Sequence, residues 1–467
     1  MIILIPLGGI GERFKKNGYM QPKSLVNIFG QPILYYLLNN LNFKKIDYIC
    51  IPYNKEYFNY RFEDKLRKDY PTINFIFINL VNNTDGAAQT INIALNYLLS
   101  LNIKDTQVLC LDGDTFYTTD IITLWNGNNV VITIEDNQEN PIYSYVKLNE
   151  DNIIDIVEKE KISNYACTGA YGFDSYFTLL DYTKIIIDLN IKQKGEFYTS
   201  TVIKKMVGDG INFKASTIPF NNWNCLGTPL QLKQFYNLSN FQLKKMRICF
   251  DFDNTLVTFA KIKDDYTSVE PIQKNINFLK YLKSFGHTII IYTARRMKTN
   301  GGNVGKVIAD IGKITFDTLE KFNIPFDEIY FGKPEANVYI DDLALNCFAD
   351  MEKELGFYMD NVKSRDFNII KEIDINKIHK SSNDLSGEIY YYNNIPPTLK
   401  DYFPKMGLFD KDNKWYEMEK INGLSCTILY LSELLNENIL VNIMNSIQTI
   451  QSISILDNDA INIYENY

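Results

Sequence analysis

Near the middle of the chain an apolar, strand-like stretch, Arg247-Ile-Cys-Phe, runs straight into Asp251-Phe-Asp-Asn-Thr-Leu256. Strand alternation turns Asp251 and Asp253 toward one opening at the strand's end. Two carboxylates so close at the edge of an apolar core are costly unless a metal or phosphoryl chemistry uses them. The chain must therefore build a buried strand that ends at a site, and the surrounding patterning says how. From residue 1 to about 240, short Ile/Val/Leu runs at 2–7, 48–51, 73–78 and 108–111 alternate with amphipathic stretches such as 33–41 and 87–99. That pattern predicts an α/β domain with a mostly parallel sheet. A second alternation starts at Arg247, with a helix from about Pro271 to Phe285, a strand from His287 to Tyr292, a helix through Thr315 to Phe322, and strands near Ile329 and Val338. After about Gly356 the composition shifts to Asn, Ile, Tyr and Lys with weaker periodicity. The expected fold class is two α/β domains, at 1–243 and 244–356, followed by a small α+β segment at 357–467.

A chain of 467 residues agrees with that division, at about 150 residues per domain. Its net charge of -8 and the lack of a Lys/Arg stripe with interleaved aromatics exclude nucleic acid as an expected partner. No apolar run approaches the roughly 18 residues of a membrane span, and Met1-Ile-Ile-Leu-Ile-Pro6 has no basic leader character, so a cytoplasmic protein without membrane insertion is expected. The seven cysteines are scattered singly and read as reduced thiols. With only His287 and His379 available, acid/base work falls to carboxylates and lysines. His287 reads as the start of a strand.

The first motif is Pro6-Leu-Gly-Gly-Ile-Gly-Glu-Arg-Phe14, followed by Gln21-Pro-Lys-Ser-Leu25. Gly8, Gly9 and Gly11 after a first strand let backbone N–H groups approach phosphate oxygens, and Arg13 and Lys23 can neutralise a triphosphate. Phe14 stands where a dinucleotide fold would carry its third glycine, and no acidic residue ends the next strand, which disfavours a dehydrogenase.

Together these residues resemble the signature of the nucleotidyltransferases that make nucleotide-activated sugars, cholines and alditols. The resemblance spans roughly residues 1–240 in a Rossmann-like domain. Gly86-Ala87 looks like that family's base-contacting loop, and Asp114 in Leu111-Asp-Gly-Asp-Thr115 looks like its metal aspartate. Glu158, Lys159, Gly169, Glu196 and the stretch Trp223 to Pro229 resemble its acceptor side. The resemblance implies attack by a substrate phosphate on the α-phosphorus of a nucleoside triphosphate, with Mg²⁺ balancing charge and Leu7, Gly8, Gly9, Gly11, Arg13, Lys23, Gly86 and Ala87 holding the nucleotide. CTP or GTP is the favoured donor, and a phosphorylated sugar, alditol or choline-type molecule the acceptor. One departure stands out. Where the family often has an aspartate two residues before Gly227-Thr-Pro229, this chain has Cys225. The second metal ligand is then Asp112 or Asn224, or the metal rests on Asp114 and the phosphates alone.

Asp251-Phe-Asp253 resembles the first motif of haloacid-dehalogenase-like phosphatases, and Thr293, Lys333 and Asp341-Asp342 follow in that family's order. The resemblance implies Asp251 as nucleophile, Asp253 as acid/base, Thr293 and Lys333 as phosphoryl-oxygen ligands, and Mg²⁺ on Asp251, Asp253, Asp341 and Asp342. The stretch from Thr293 to Lys333-Pro334 is especially like small phosphatases of capsule synthesis. The tail looks like the amino-terminal lobe of a choline/aminoglycoside-type kinase, with Lys380 and Glu388 as its anchoring pair. Because no catalytic lobe follows, it is expected to be a docking or vestigial module, or part of a truncated chain. Two readings compete: a bifunctional enzyme of surface-polysaccharide precursor synthesis, with homo-oligomerisation left open, or a chain in which one domain is degenerate and serves as a nucleotide-binding or scaffold module.

Overall fold

The computed structural model describes residues 1–138, 141–238, 244–359, 368–374, 377–421, 426–431 and 435–452. They form two compact units, Met1–Tyr358 and Met359–Tyr467. In the first, a nine-stranded sheet runs in the order Phe75–Leu80, Tyr48–Asn54, Ile2–Leu4, Val108–Leu111, Tyr165–Phe173, Val130–Glu135, Lys214–Thr217, Asn152–Glu158 and Ser144–Asn149. The first four strands are parallel neighbours. Beyond them the sheet departs from the mostly parallel expectation. Tyr165–Phe173 runs antiparallel to both of its main neighbours, and Asn152–Glu158 pairs antiparallel with Ser144–Asn149. The periodicity of apolar runs reports that strands are buried but not their direction, which the intervening connections set. Tyr165–Phe173 also changes register between Cys167 and Tyr171, where Gly169 takes φ +88°. A bulge of this kind bends a strand and re-aims its side chains.

Helices close the sheet. Ala87–Ser100, Tyr176–Asp188 and Thr199–Gly208 bury Ile91, Leu95, Leu179, Ile186, Val202 and Ile203 against Ile2, Leu4 and Cys110 of the strands. Ser175 accepts from the Thr178 N–H at 3.1 Å, which caps the second of these helices.

Within the same unit, Arg247–Asp251, Thr288–Tyr292 and Glu328–Tyr330 form a three-stranded parallel sheet in that order. It carries the helices Gln273–Ser284 and Val304–Lys321. His287 is buried beside the second strand and accepts from the Met246 N–H at 3.2 Å. The strand expected near Val338 does not form: the stretch joins no ladder, and Val338, Ile340 and Leu343 are exposed. An apolar run reads as a strand only when a neighbouring edge accepts it, and none of the described strands pairs with this one.

The second unit is a four-stranded antiparallel sheet ordered Asn368–Asp374, Lys377–Ser382, Trp415–Glu419, Met406–Phe409. Its small core holds Ile378, Leu385, Ile389, Tyr416 and Met418. Lys380 donates to Glu388 of the helix Ser386–Asn393 at 2.6 and 2.7 Å, and the Tyr416 hydroxyl donates to the same carboxylate at 2.6 Å. Among the described residues no helix is long and apolar enough to cross a membrane.

Ile203 is fully buried in the main core. Ile203→Ala should cost roughly 2–5 kcal/mol, read as a lower urea midpoint for the first unit with an unchanged slope.

Candidate active sites

The carboxyl ends of the parallel strands open into a cavity of about 310 Å³. The turn after Ile2–Leu4 forms one wall. Its Gly9 carbonyl accepts from the buried Asn54 amide at 2.8 Å, so this strand-end asparagine, which no motif marked, pins the glycine turn. Gly11 takes φ +64° and starts the helix Glu12–Lys16. Lys23, in the 3-10 turn Lys23–Leu25, reaches across the opening to pair with Asp114 at the end of Val108–Leu111. Burial alone would lower the Lys23 ammonium, but Asp114 outweighs it and holds the group above its usual range.

Asp112 lies in the same wall. Burial, then the Asp114 charge, push its carboxyl up from 3.8 to about 8, against the opposing pull of Lys23. Gly169 makes room for it: a Cβ there would sit 2.5 Å from Asp112 Oδ2, and the Gly169 carbonyl accepts from the Asp112 N–H at 2.9 Å. Cys225 stands in the wall beside Asp114, and burial pushes its thiol up to about 12. It is therefore a protonated, neutral neighbour at ordinary pH. Asn224, the intervening residue of the strand Trp223–Cys225, is not in the wall, as alternation requires. Of the alternatives left open by the sequence, Asp112 is the carboxylate placed beside Asp114.

Opposite this corner, Glu158 is buried and accepts from the Ser144 hydroxyl and, at 3.1 Å, from Ser200. Gly86 takes φ +126° where a Cβ would meet Phe197 O at 2.6 Å. Ala88 N–H donates to that carbonyl at 2.9 Å, bringing the Ala87 loop against Glu196 and Phe197. Lys159 donates to the Tyr198 hydroxyl at 3.2 Å. The structure thus gathers Leu7, Gly9, Lys23, Ala87, Asp114, Glu158, Gly169 and Glu196 around one space. Gly8, Gly11, Gly86 and Lys159 do not line it. Arg13, half-buried on Glu12–Lys16, is not in the wall. Tyr143, Ser144, Ser200 and Trp223 are added by the fold, with Tyr143 edge-on to Trp223 at 5.2 Å. Only Trp223 lay within a stretch that the motif reading singled out.

Two half-buried carboxylates crowded together suit a divalent cation that takes its remaining ligands from phosphate oxygens, the usual habit of Mg²⁺. Asp112 and Asp114 fit that role. Among the described residues no three or more His, Cys, Asp or Glu side chains converge into a ready-made metal cage.

A second cavity, of about 590 Å³, opens at the end of Arg247–Asp251. Lys333 Nζ lies 2.8 Å from Asp251 Oδ1 and over the Tyr339 ring at 4.5 Å. Asp253 accepts three hydrogen bonds from Arg295, at 2.8, 2.9 and 3.0 Å. The guanidinium is itself buried between the rings of Phe252 and Tyr266, and Thr315 also accepts from it. Arg295 lies within the stretch from Thr293 to Pro334, whose resemblance implies no role for it. Thr293 is fully buried, its hydroxyl accepting from the Arg295 N–H at 3.1 Å, and it does not line the cavity. Asp341 and Asp342 are exposed and absent from the cavity wall. Their segment joins no described strand. The expected four-acid metal set of Asp251, Asp253, Asp341 and Asp342 does not fit a metal in this arrangement.

A family model described as Nucleotidyl transferase matches residues 2–244. Curated relatives include a bifunctional protein GlmU of Methanocaldococcus jannaschii, 29% identical over 237 residues, or 49% of this chain and 52% of that protein. The chain spans about half the length of the curated relatives it matches. Similar solved structures include a nucleoside-diphosphate-sugar pyrophosphorylase of Vibrio cholerae RC9, with 20% identity, a TM-score of 0.47, and coverage of 51% of this chain and 100% of that one. They also include a CTP:phosphocholine cytidylyltransferase of Streptococcus pneumoniae, with 13% identity, a TM-score of 0.41, and coverage of 51% and 98%.

Because the Asp112 carboxyl is raised from 3.8 to about 8, the folded state holds a proton that the unfolded chain has released between those values. Its contribution to stability is full below the lower value and is lost as pH rises through the upper one. Without divalent cations, the wild-type melting temperature should fall over that window relative to Asp112→Asn, in paired thermal melts.

Proposed function

The chain belongs to the nucleotidyl transferase family, and from that premise we propose that its first cavity transfers a nucleotidyl group from a nucleoside triphosphate to a phosphorylated sugar, alditol or choline-type molecule. The observation that carries this reading is the Lys23–Asp114 pair beside Asp112, in a space that also gathers the glycine turn, Ala87 and Glu158. An acceptor phosphate oxygen attacks the α-phosphorus, the bond to the bridging oxygen breaks, and pyrophosphate departs. Lys23 is placed to meet charge as it develops on the transferring phosphoryl oxygens, turning from Asp114 toward the ligand. Backbone N–H groups of the Gly8–Gly11 turn favour the remaining phosphates. Mg²⁺ held by Asp112 and Asp114 would supply Lewis-acid charge neutralisation. Glu158, fixed by Ser144 and Ser200, and Glu196 present acceptors to hydroxyl or ammonium groups of the second substrate.

The second α/β fold extends the proposal to a bifunctional chain. In this reading Asp251, at a strand end with Lys333 at 2.8 Å, is the nucleophile toward a phosphate ester. Attack by its carboxylate forms an aspartyl-phosphate and expels the alcohol, and water then releases inorganic phosphate. Asp253 serves the leaving oxygen only by giving up hydrogen bonds to Arg295. The resemblance of the stretch from Thr293 to Pro334 to capsule-synthesis phosphatases supports a role for the pair of activities in surface-polysaccharide precursor synthesis. The competing reading, one catalytic and one scaffold domain, draws on Cys225 and on the absence of Asp341 and Asp342 from the wall of the Asp251 cavity. The tail, where Lys380 meets Glu388, is proposed as a docking module resembling a kinase lobe.

The test is pyrophosphate release from CTP, GTP, UTP or dTTP with Mg²⁺, against a panel of phosphorylated sugars, alditols and phosphocholine, with phosphate release followed in parallel. At least one pair should turn over, and silence in both assays would refute the enzyme. Lys23→Ala should lower kcat/KM for nucleotidyl transfer by about 100- to 1,000-fold. Asp251→Asn should abolish phosphate release and leave pyrophosphate release intact; loss of both activities in a folded variant would refute the assignment of two independent sites.

A further inference from the structure

Lys23 sits in a stretch, residues 17–30, with little regular structure of its own. It comprises the 3-10 turn Lys23–Leu25 and the first arm of a hairpin that pairs only Asn27–Ile28 with Gln31–Pro32. The hairpin turns through Phe29 at φ 51° and Gly30 at φ 74°. A two-residue turn of this handedness suits glycine or asparagine, and a phenylalanine there needs outside support. The support comes from the helix Met351–Leu355, far along the chain. Carbonyls at a helix's carboxyl end lack partners within the helix. Here Leu355 O accepts from the Gly30 N–H at 2.8 Å and Gly356 O from the Phe29 N–H at 2.9 Å.

Three more contacts bracket Lys23. Glu354 O accepts from the Asn27 amide at 2.7 Å, the Glu354 carboxylate accepts from Gln21, and the hydroxyls of Tyr19 and Tyr358 lie 3.0 Å apart. Gly356 takes φ +68°, and a Cβ there would overlap the Asn27 carbonyl. The fit between helix end and hairpin therefore leaves no slack. On the other side, a Cβ on Gly11 would lie 3.2 Å from Lys23 Cβ, so the glycine turn packs closely against the lysine. None of the residues from Glu354 to Tyr358 falls within the 2–244 match to the family model.

We infer that Glu354–Tyr358 is a positioning clamp that fixes Lys23 for nucleotidyl transfer, so that the first site depends on the segment closing the second α/β fold. The inference rests on the nucleotidyl-transfer reading of the first cavity. It is tested on the full chain with Gly356→Ala and with the milder pair Glu354→Ala/Tyr358→Phe. Each should lower kcat/KM for the nucleoside triphosphate by about tenfold, the loss that goes with a positioning hydrogen bond or two, while KM for the phosphorylated acceptor and phosphate release from the Asp251 site hold. Glu354→Gln, which keeps an acceptor for Gln21, should stay at the wild-type kcat/KM. A variant that merely folds less well would lose nucleotidyl transfer and phosphate release in the same proportion, and that result, or an unchanged kcat/KM for the triphosphate, overturns the clamp. Hydrogen exchange at the Phe29 and Gly30 amides gives a second readout that needs no turnover: protection in the wild type and faster exchange in Gly356→Ala are expected. If the wild type turns over no triphosphate, the proposed function fails on its own account, and amides that stay protected in Gly356→Ala overturn the clamp independently.

Discussion

The pairing of Lys23 with Asp114, with Asp112 beside them, is the interaction around which the first half of the chain is arranged. Burying charges costs several kcal/mol apiece unless they are paired and hydrogen-bonded. The surrounding structure meets that demand in specific ways. Gly169 leaves space against Asp112, its carbonyl takes the Asp112 N–H, and the bulge at that point turns a long antiparallel strand toward the cavity. Neutral Cys225 stands in the wall without adding a third negative charge. Burial first and the Asp114 charge second raise the Asp112 carboxyl against the pull of Lys23, and a cation bound at this corner would offset both.

The second cavity resolves the same problem differently. Asp251 is matched by Lys333, and Asp253 by a buried arginine gripping both carboxylate oxygens. Arg295 is held by the faces of Phe252 and Tyr266, and a planar guanidinium tolerates such burial better than an ammonium. Both aspartates of the motif are thus partnered by residues from other strand ends, which keeps a motif of adjacent charges compatible with an apolar core.

The two α/β folds share aromatic packing as well as the hairpin contacts. Phe29 stacks on Tyr236 at 4.6 Å and meets Phe357 edge-on at 6.0 Å, while the hydroxyls of Tyr236 and Tyr281 lie 2.7 Å apart. Rings gain from such geometry beyond the area they bury. A seam of this kind fits the single compact unit that spans Met1–Tyr358.

Much of this was legible in the residues. The glycine turn, Lys23, Asp114 and Asp251 stand out because small residues, cations and carboxylates gather at strand ends, and those ends follow from apolar periodicity. Burial, too, was readable, since a strand or helix must hide its apolar face. What the sequence could not state were relations between distant segments: the antiparallel half of the sheet, the grip of Arg295 on Asp253, the support of Asn54 for the glycine turn, and the docking of Leu355 and Gly356 on the Phe29 hairpin. Nor could it show that the apolar run at Val338 finds no strand to join, leaving Asp341 and Asp342 outside the cavity. Local composition determines which groups can do chemistry; only the tertiary structure decides which meet, because a hydrogen bond or a ladder depends on where the partner lies in space and not on its place in the chain.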